Sequence, residues 1–186
     1  VFDGERNRMT AAKAEYPLAD CSFDNAGLNA RIGKATLFDG HAQGEVKQRD
    51  NRIQWNLDYS PGVEPVLLLP ENLYATALPK AKALVANPLA QFRGELTVNG
   101  ESITVDGWTG SENHNWGSKH TDQYAWGQVA GFDNAPDAFL ECGSARIKLG
   151  LLWTPWLTTL VLRLDGRVFK LNGLLKAARA NAHYGY

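Results

Sequence analysis

Apolar and polar residues alternate along much of the chain, and two-residue turn signals separate the alternating stretches. A period of two is typical of strands with one buried face, and Asn-Gly or Asp-Gly pairs favour the type I′ turns of hairpins. We therefore expect antiparallel hairpins around several of these signals. They are Asp3-Gly4, Asp39-Gly40, Asn99-Gly100, Asp106-Gly107, Asp165-Gly166 and Asn172-Gly173.

The clearest predicted hairpin runs from Thr159 to Leu171 around Asp165-Gly166. A two-residue loop fixes the register of such a hairpin. The pairs it predicts are Leu164 with Arg167, Leu162 with Phe169, and Leu160 with Leu171. A second hairpin around Asn99-Gly100 places Leu96 opposite Ile103, with one apolar and one polar face.

Further stretches carry the alternation or the β-branched and aromatic residues of strands. They are Leu28–Ile32, Ala35–Phe38, Gly44–Gln48, Arg52–Tyr59, Tyr124–Phe132 and Ala138–Leu149. Good helical composition is confined to Leu174–Ala182, and the run Ala81–Ala86 fits a helix or a buried strand equally. About eight to ten short strands with little helix indicate an all-β fold, an antiparallel barrel or sandwich.

Composition narrows the function classes. The 186 residues carry 19 Lys and Arg against 20 Asp and Glu, a net charge of −1. This balance provides no electrostatic footprint for nucleic acid or for an anionic membrane, so neither is expected as a main partner. The longest apolar run is too short to span a bilayer. We expect one domain over residues 1–186. Cys21 and Cys142 are interpreted as buried thiols, which favours a reducing, cytoplasmic setting.

The aromatic residues are the most informative part of the composition. Six Trp, six Tyr and seven Phe stand against one Met, and large rings line cores or apolar ligand cavities. Half of the Trp and half of the His fall between Trp108 and Gln128, interleaved with glycines. One interpretation of this window is a long loop whose Trp residues cap the core; the other is a functional site.

The window contains Glu112-Asn113-His114-Asn115-Trp116-Gly117, followed by Tyr124-Ala125-Trp126-Gly127-Gln128. It resembles the Asp-His-Asn-Trp-Gly signature of the lipocalin-like carotenoid 1,2-hydratases (hydroxyneurosporene synthases). Tocopherol cyclases and lipocalin-like Diels–Alderases are similar more distantly. The resemblance implies an antiparallel lipocalin-like (calycin) β-barrel with an apolar cavity and cofactor-free chemistry on isoprenoid or polyketide substrates. Since the family has two barrels in a longer chain, 186 residues would form one barrel or a piece spanning the junction.

Carried over by position, the family's functional His falls on His114 and its Trp on Trp116. Asp122 and Tyr124 are the nearest counterparts of a further Asp and Tyr, although their spacing and order differ. The family's Asp before the His is Asn113 here. An amide cannot donate the proton that an alkene needs, so Glu112 or Asp122 would have to supply it. Asn113 can still orient His114 through a hydrogen bond.

Hydration or cyclisation of an isoprenoid double bond passes through a tertiary carbocation, which aromatic faces stabilise and stray water destroys. We therefore expect a cofactor-independent hydratase or cyclase, a lyase or isomerase by class, that binds a hydrophobic small molecule. The expected catalytic residues are His114, Glu112, Asp122 and Tyr124. The expected substrate-binding residues are Trp108, Asn115, Trp116, Trp126 and Gln128.

Two other hypotheses use the same residues. A non-catalytic carrier of a hydrophobic small molecule would need only the cavity. A metal site could be formed by Glu112, His114 and His120, although their spacing matches no established template and no metal is expected. Outside the window, Trp55 is expected to pack in the core. Trp153 and Trp156, which flank Pro155, would close a barrel end, meet a partner or form a plain packing corner.

Overall fold

The computed structural model describes residues 1–24, 26–60, 62–180 and 182–183. Within these residues the chain is mostly β-strand, with one short α-helix, which confirms the predicted all-β class. The strands are β1 (Phe2–Asp3), β2 (Arg8–Met9), β3 (Cys21–Phe23), β4 (Asn29–Ile32), β5 (Ala35–Phe38), β6 (His41–Gln48), β7 (Asn51–Ser60), β8 (Val66–Leu67), β9 (Ala81–Val98), β10 (Glu101–Gly117), β11 (Gln123–Phe132), β12 (Ala135–Arg146), β13 (Lys148–Leu149), β14 (Leu152–Trp153), β15 (Leu157–Leu164) and β16 (Arg167–Leu171).

Among the described residues, helical structure is limited to α1 (Leu174–Arg179) and two 3₁₀ turns, Leu18–Asp20 and Glu71–Leu73. The predicted helix Leu174–Ala182 thus ends three residues early, and Asn181 lies outside the described residues. In the part of the chain that the structure covers, no helix has the length and apolar character needed to cross a bilayer.

The strands form antiparallel sheets, as expected. A curled sheet has the order β10-β9-β7-β6-β5-β4-β3, with β8 paired to β9. A second sheet has the order β11-β12-β15-β16, and the pairs β1–β2 and β13–β14 are separate two-stranded ribbons. Closure of the strands into a lipocalin barrel stays a prediction.

The chain divides into two compact units. Unit 1 consists of Val1–Pro61 and Gln91–Trp108, and unit 2 of Gly62–Ala90 and Thr109–Tyr186. Two of the three boundaries fall inside long strands, because β9 and β10 continue from one unit into the other. The single domain expected over residues 1–186 stays a prediction.

In unit 1, β6 and β7 are paired from His41 opposite Asp58 to Gln48 opposite Asn51. Trp55 lies opposite Gly44, and a Cβ atom on Gly44 would lie 2.4 Å from Cζ2 of the indole ring. The absence of a side chain at Gly44 therefore lets the indole lie across the neighbouring strand. Trp55 is partly buried, is not among the buried core residues and lines a cavity together with Gly44 and Glu95. The prediction that it packs in the core is therefore not confirmed.

Unit 2 has its own hydrophobic core. The core residues come from β8, β9, β12 and β15, and Phe139 among them is fully buried. Val63, Leu68 and Ala130 pack against this core. The core contains residues from both segments of unit 2, Gly62–Ala90 and Thr109–Tyr186. Unit 2 therefore depends on contacts between residues that are far apart in sequence. The core residues are Val66, Val85, Leu89, Phe139 and Val161.

Some of the predicted hairpin turns are confirmed and others are wrong. At Asp165-Gly166 both residues have positive φ, and β15 and β16 pair in the predicted register, from Leu164 opposite Arg167 to Leu160 opposite Leu171. Asn99-Gly100 has the same conformation between β9 and β10. Asp106-Gly107 does not reverse the chain. Gly107 has φ +67° inside β10, where a single left-handed residue is accommodated as an irregularity of the strand.

Asn172-Gly173 is also not a hairpin turn, because Gly173 has φ −65° and precedes α1. Ala81–Ala86, ambiguous in the sequence, is strand and belongs to β9.

The predicted strand Ala138–Leu149 is interrupted after Arg146. Thr154 bonds Ile147 twice there, through its backbone N–H and its hydroxyl oxygen, and this starts the separate β13–β14 ribbon. Cys21 and Cys142 are free and only half-buried.

Candidate functional site

The residues of the conspicuous window lie mainly on strands rather than on a loop. β10 continues to Gly117, and β11 begins at Gln123. Because side chains alternate between the two faces of a strand, Glu112, His114 and Trp116 share one face of β10, and Ser111 shares the other with Asn113. The strand therefore presents two different chemical surfaces.

The first surface is aromatic. The rings of His114 and Trp116 are stacked, with centroids 5.0 Å apart and an interplanar angle of 22°. Tyr74 continues the row, with its ring centroid 5.8 Å from that of Trp116. His114 is exposed and Trp116 is partly buried. The row therefore leads from solvent at His114 towards the interior at Tyr74.

Glu112 lies on the same face of β10 and is partly buried. Its Oε2 accepts a hydrogen bond of 2.5 Å from Nδ2 of Asn87 on β9. This neutral amide holds the carboxylate without an ion pair within the described residues. Glu112 is therefore positioned by the neighbouring strand, two residues before His114.

The second surface is a closed ring of polar side chains. Ser111 Oγ donates to Gln128 Oε1 at 2.6 Å, Gln128 Nε2 donates to Asn113 Oδ1 at 2.8 Å, and Asn113 Nδ2 donates to Ser111 Oγ at 2.9 Å. The three residues come from β10 and β11. Each amide both donates and accepts, so the ring fixes the orientation of Asn113 and Gln128.

The ring leads to a buried carboxylate that the sequence reasoning did not identify. Glu141 on β12 is 3% exposed. Its Oε2 accepts from Gln128 Nε2 at 2.8 Å, and its Oε1 accepts from Trp126 Nε1 at 2.9 Å. No cation pairs with Glu141 among the residues that the structure describes. Neutral donors alone satisfy this carboxylate, which is an uncommon state for a buried charged group.

The charge of Glu141 affects Tyr74. Burial raises the pKa of the Tyr74 phenol, and the negative charge of Glu141 raises this pKa further. The phenol oxygen donates to the backbone oxygen of Ala83 at 2.7 Å. Tyr74 is therefore a neutral hydrogen-bond donor at physiological pH. It lies at the end of the aromatic row and is affected by the negative charge of Glu141.

Asp122 and Tyr124 lie apart from this network. Asp122 Oδ1 accepts from Lys119 Nζ at 2.6 Å, and Oδ2 accepts from the backbone N–H of Lys148 at 3.0 Å. The hydrogen bond from Lys119 lowers the pKa of Asp122, and the one from Lys148 adds to this effect. A carboxyl that is held in its charged form is a poor proton donor. Tyr124 is 55% exposed and its ring contacts that of His120.

The expected wall of tryptophans is only partly assembled. Trp126 holds Glu141 through its indole N–H but is 55% exposed, and Trp108 is 51% exposed. Trp108 belongs to unit 1, whereas Trp116 and Trp126 belong to unit 2. Asn115 is exposed. Trp116, Trp126 and Gln128 are therefore the predicted binding residues that contact other members of the site.

Neither of two cavities in unit 1 coincides with the window. One has a volume of about 390 Å³ and the other of about 350 Å³, and both are lined by unit 1 residues alone. The larger is mostly polar, with Gln43, Gln54 and Asn56 among its lining side chains. Within the described residues, no group of three His, Cys, Asp or Glu side chains is placed to hold a metal ion.

Sequence reasoning missed Glu141, Tyr74, Ser111 and Asn87. A signal for Glu141 was present, because it is the one charged residue in the apolar stretch Ala138–Gly143. Charged residues are seldom found in buried strands without a partner. Tyr74 and Asn87 gave no such signal. Asn87 meets Glu112 through the pairing of β9 with β10, and Tyr74 contacts Trp116 from the end of the 3₁₀ turn Glu71–Leu73.

No protein-family model matches the chain, and no similar protein was found among the curated proteins or the solved structures.

Proposed function

We propose that the protein is a cofactor-independent hydratase or cyclase for a hydrophobic, isoprenoid-like substrate, and that its proton-handling group is Glu141. The observation that carries this proposal is a carboxylate, 3% exposed, whose hydrogen bonds come only from Trp126 and Gln128. Ionisable groups buried without a compensating charge concentrate at functional sites. Gln128 and Trp126 also belong to the motif that resembles the carotenoid hydratases.

In the proposed reaction, the Glu141 carboxylate of the resting site first takes up a proton and then transfers it to one carbon of a trisubstituted alkene. The π bond breaks, a C–H bond forms, and the other carbon becomes a tertiary carbocation. Water or a hydroxyl of the substrate then forms a C–O bond to the cation and returns a proton to the carboxylate. Protons and electrons balance without a redox partner, so no cofactor is required.

The other residues have supporting roles. Gln128 and Trp126 orient the carboxyl group, and Ser111 and Asn113 orient Gln128. The row of His114, Trp116 and Tyr74 offers aromatic faces to a cation, each contributing about 0.5–2 kcal/mol. Glu112 is the second candidate for the proton donor, because it is partly buried and bound only by Asn87. Asp122 is less suitable because its charged form is favoured.

The proposal also includes closure of the strands into a lipocalin-like barrel around the substrate. Its support is the antiparallel pairing throughout the described sheets.

The test compares Glu141→Gln with Glu112→Gln. An acyclic isoprenoid with a terminal trisubstituted alkene is incubated in D₂O, and deuterium in the product is measured by mass spectrometry. We expect Glu141→Gln to lower kcat about 10²- to 10⁴-fold, as loss of a general acid does, and Glu112→Gln to lower it less than tenfold. Circular dichroism checks that both variants fold, and Glu95→Gln in unit 1 is the matched control. Wild-type turnover in Glu141→Gln would contradict the role of Glu141.

A carrier function is the second candidate, and one observation favours it. Both ends of the Asn113 amide are used within the polar ring, so the position that is acidic in the resembled family serves here as a fixed hydrogen-bonding group. A carrier would bind a hydrophobic molecule without converting it. Lipid extraction of the purified protein, followed by mass spectrometry, would recover an unmodified ligand from a carrier, with no deuterium incorporated after incubation in D₂O.

A further inference from the structure

The ribbon formed by β13 and β14 ends in an exposed apolar tip. Lys148 pairs with Trp153, and Leu149 pairs with Leu152. Gly150 and Leu151 form the two-residue loop between them, and Gly150 has φ +64°. A positive φ at the first loop position is typical of type II′ hairpin turns, which favour Gly there. The chain reversal therefore brings three leucines together at one end of the ribbon.

The tip is among the most exposed apolar parts of unit 2. Leu151 is 94% exposed and Leu152 is 75% exposed, and Leu149 on the opposite strand is 53% exposed. Single exposed leucines are common on protein surfaces, but several that adjoin one another indicate an interaction site. Three leucines within four consecutive residues meet this description.

The base of the ribbon is held firmly in unit 2. Asp122 Oδ2 accepts the backbone N–H of Lys148 at 3.0 Å. Thr154 forms two hydrogen bonds of 3.0 Å with Ile147, one through its backbone N–H and one through its hydroxyl oxygen. The leucines are thus presented on an anchored support, which reduces the entropy lost on binding.

Cationic and aromatic side chains surround the base. The guanidinium carbon of Arg146 lies 4.8 Å from the ring centroid of Trp153 and 4.9 Å from that of Trp156. Neither Arg146 nor Lys148 forms an ion pair in the described part of the chain. Two positive charges therefore lie at the base of the ribbon next to two indole rings, with the Asp122 carboxylate beside Lys148.

We propose that the β13–β14 ribbon docks on a lipid bilayer with anionic headgroups. In this arrangement Leu149, Leu151 and Leu152 enter the apolar region below the headgroups. Indole rings prefer the bilayer interface, which is the level that Trp153 would occupy. Arg146 and Lys148 would face anionic phosphate groups, and each cation near such a surface strengthens binding.

The shape of the tip favours a bilayer over a protein partner. A stable protein interface needs about 800 Å² from each partner, and a two-residue loop with two flanking leucines provides much less. A bilayer has no such requirement, because the apolar side chains are surrounded by acyl chains after insertion. The proposal does not rest on the enzymatic function, although isoprenoids dissolve in the same membranes.

The test measures co-sedimentation with vesicles of equal parts phosphatidylglycerol and phosphatidylcholine. We expect Leu151→Asp to weaken binding at least tenfold, since burial of one leucine contributes about that much. Lys148→Gln should weaken binding to these vesicles about fivefold and leave binding to pure phosphatidylcholine unchanged. Leu175→Asp is the matched control, because Leu175 on α1 is 78% exposed in the same unit. It should bind as the wild type does.

Brominated acyl chains provide a second readout, since they quench indoles that reach the interface. We expect vesicle-dependent quenching in the wild type and less quenching in Trp153→Phe. Equal vesicle binding by wild type and Leu151→Asp would overturn the proposal. The proposal would also be overturned if the wild type did not bind vesicles and light scattering showed a dimer that Leu151→Asp dissociates. The tip would then bind a second copy of the chain.

Discussion

Two carboxylates, Glu101 in unit 1 and Glu141 in unit 2, have different surroundings. In unit 1, Glu101 accepts from Arg6 Nη1 at 2.7 Å and from Arg8 Nη2 at 3.2 Å, and all three side chains are about half exposed. In unit 2, Glu141 is buried and is bound by Trp126 and Gln128 without a cation. One carboxylate thus has charged partners in solvent, and the other has neutral partners in the interior.

This difference predicts which of the two carboxylates contributes more to the stability of the fold. Water screens the attraction between exposed ions and solvates whichever partner remains, so exposed pairs contribute little to stability. A buried network has no such replacement, because donors left without an acceptor keep their full desolvation cost. The number of charged partners is therefore a poor guide to the importance of Glu101 and Glu141.

The largest effect is expected when Glu141 is changed to Ala. The indole N–H of Trp126 and one amide hydrogen of Gln128 then lose their acceptor. We expect the free energy of unfolding to fall by about 2–5 kcal/mol, the range for buried polar groups that lose their partners. Urea unfolding followed by fluorescence measures this change. A loss as small as that of an exposed carboxylate would show that water enters the network.

A smaller effect is expected for Tyr74→Phe. This change removes the hydrogen bond to the backbone oxygen of Ala83, which contributes about 1 kcal/mol. The raised pKa of Tyr74 adds a pH dependence. Its contribution is complete below the unfolded value of 10.0 and is lost as pH rises towards the folded value, because only the unfolded chain then ionises.

The stability difference between wild type and Tyr74→Phe should therefore narrow when urea unfolding is repeated at alkaline pH. A difference that stays constant through pH 10.0 and above would mean that the phenol is not buried beside Glu141. Tyr124→Phe is the matched control, since Tyr124 is 55% exposed.

The smallest effect is expected for Glu101→Gln in unit 1. Hydrogen bonds from Arg6 and Arg8 lower the pKa of Glu101, with Arg6 contributing most. The pair's contribution is present above pH 4.5 and is lost as pH falls through the lowered pKa. We expect a small change in melting temperature at low salt that disappears near 1 M salt, where the Debye length is about 3 Å. A large, salt-independent change would contradict the contrast between the units.

The sequence predicted the elements whose geometry depends on neighbouring residues. Asp165-Gly166 set the register of β15 and β16, since a two-residue loop with two left-handed residues allows one pairing. Asp106-Gly107 shows the limit of this reasoning. The same dipeptide lies within β10, which continues from Glu101 through Gly107 to Gly117. Local composition cannot distinguish a reversal from an irregularity inside a long strand.

The site was predicted in part for the same reason. Gln128 and Trp126 were identified from a motif that is contiguous in sequence. Their common partner Glu141 follows 13 residues after Gln128 and meets it only through the pairing of β11 with β12. Asn87 and Tyr74 reach Glu112 and Trp116 from further still. Spacing along one strand is visible in a sequence, whereas contacts across strands require the register.

Neither unit is an uninterrupted stretch of chain, since each is completed by a segment on the far side of the other. During synthesis, the first part of unit 2 leaves the ribosome before Gln91–Trp108 can finish unit 1. A fragment of residues 1–108 would hold all of unit 1 but only the first part of unit 2, and residues 62–186 would hold all of unit 2 but only the second part of unit 1. A fragment ending before Gln91 would leave β7 without the β9 residues that pair with it, and exposed strand edges promote aggregation. Until Gln91–Trp108 has been synthesised, the nascent chain therefore contains incomplete parts of both units.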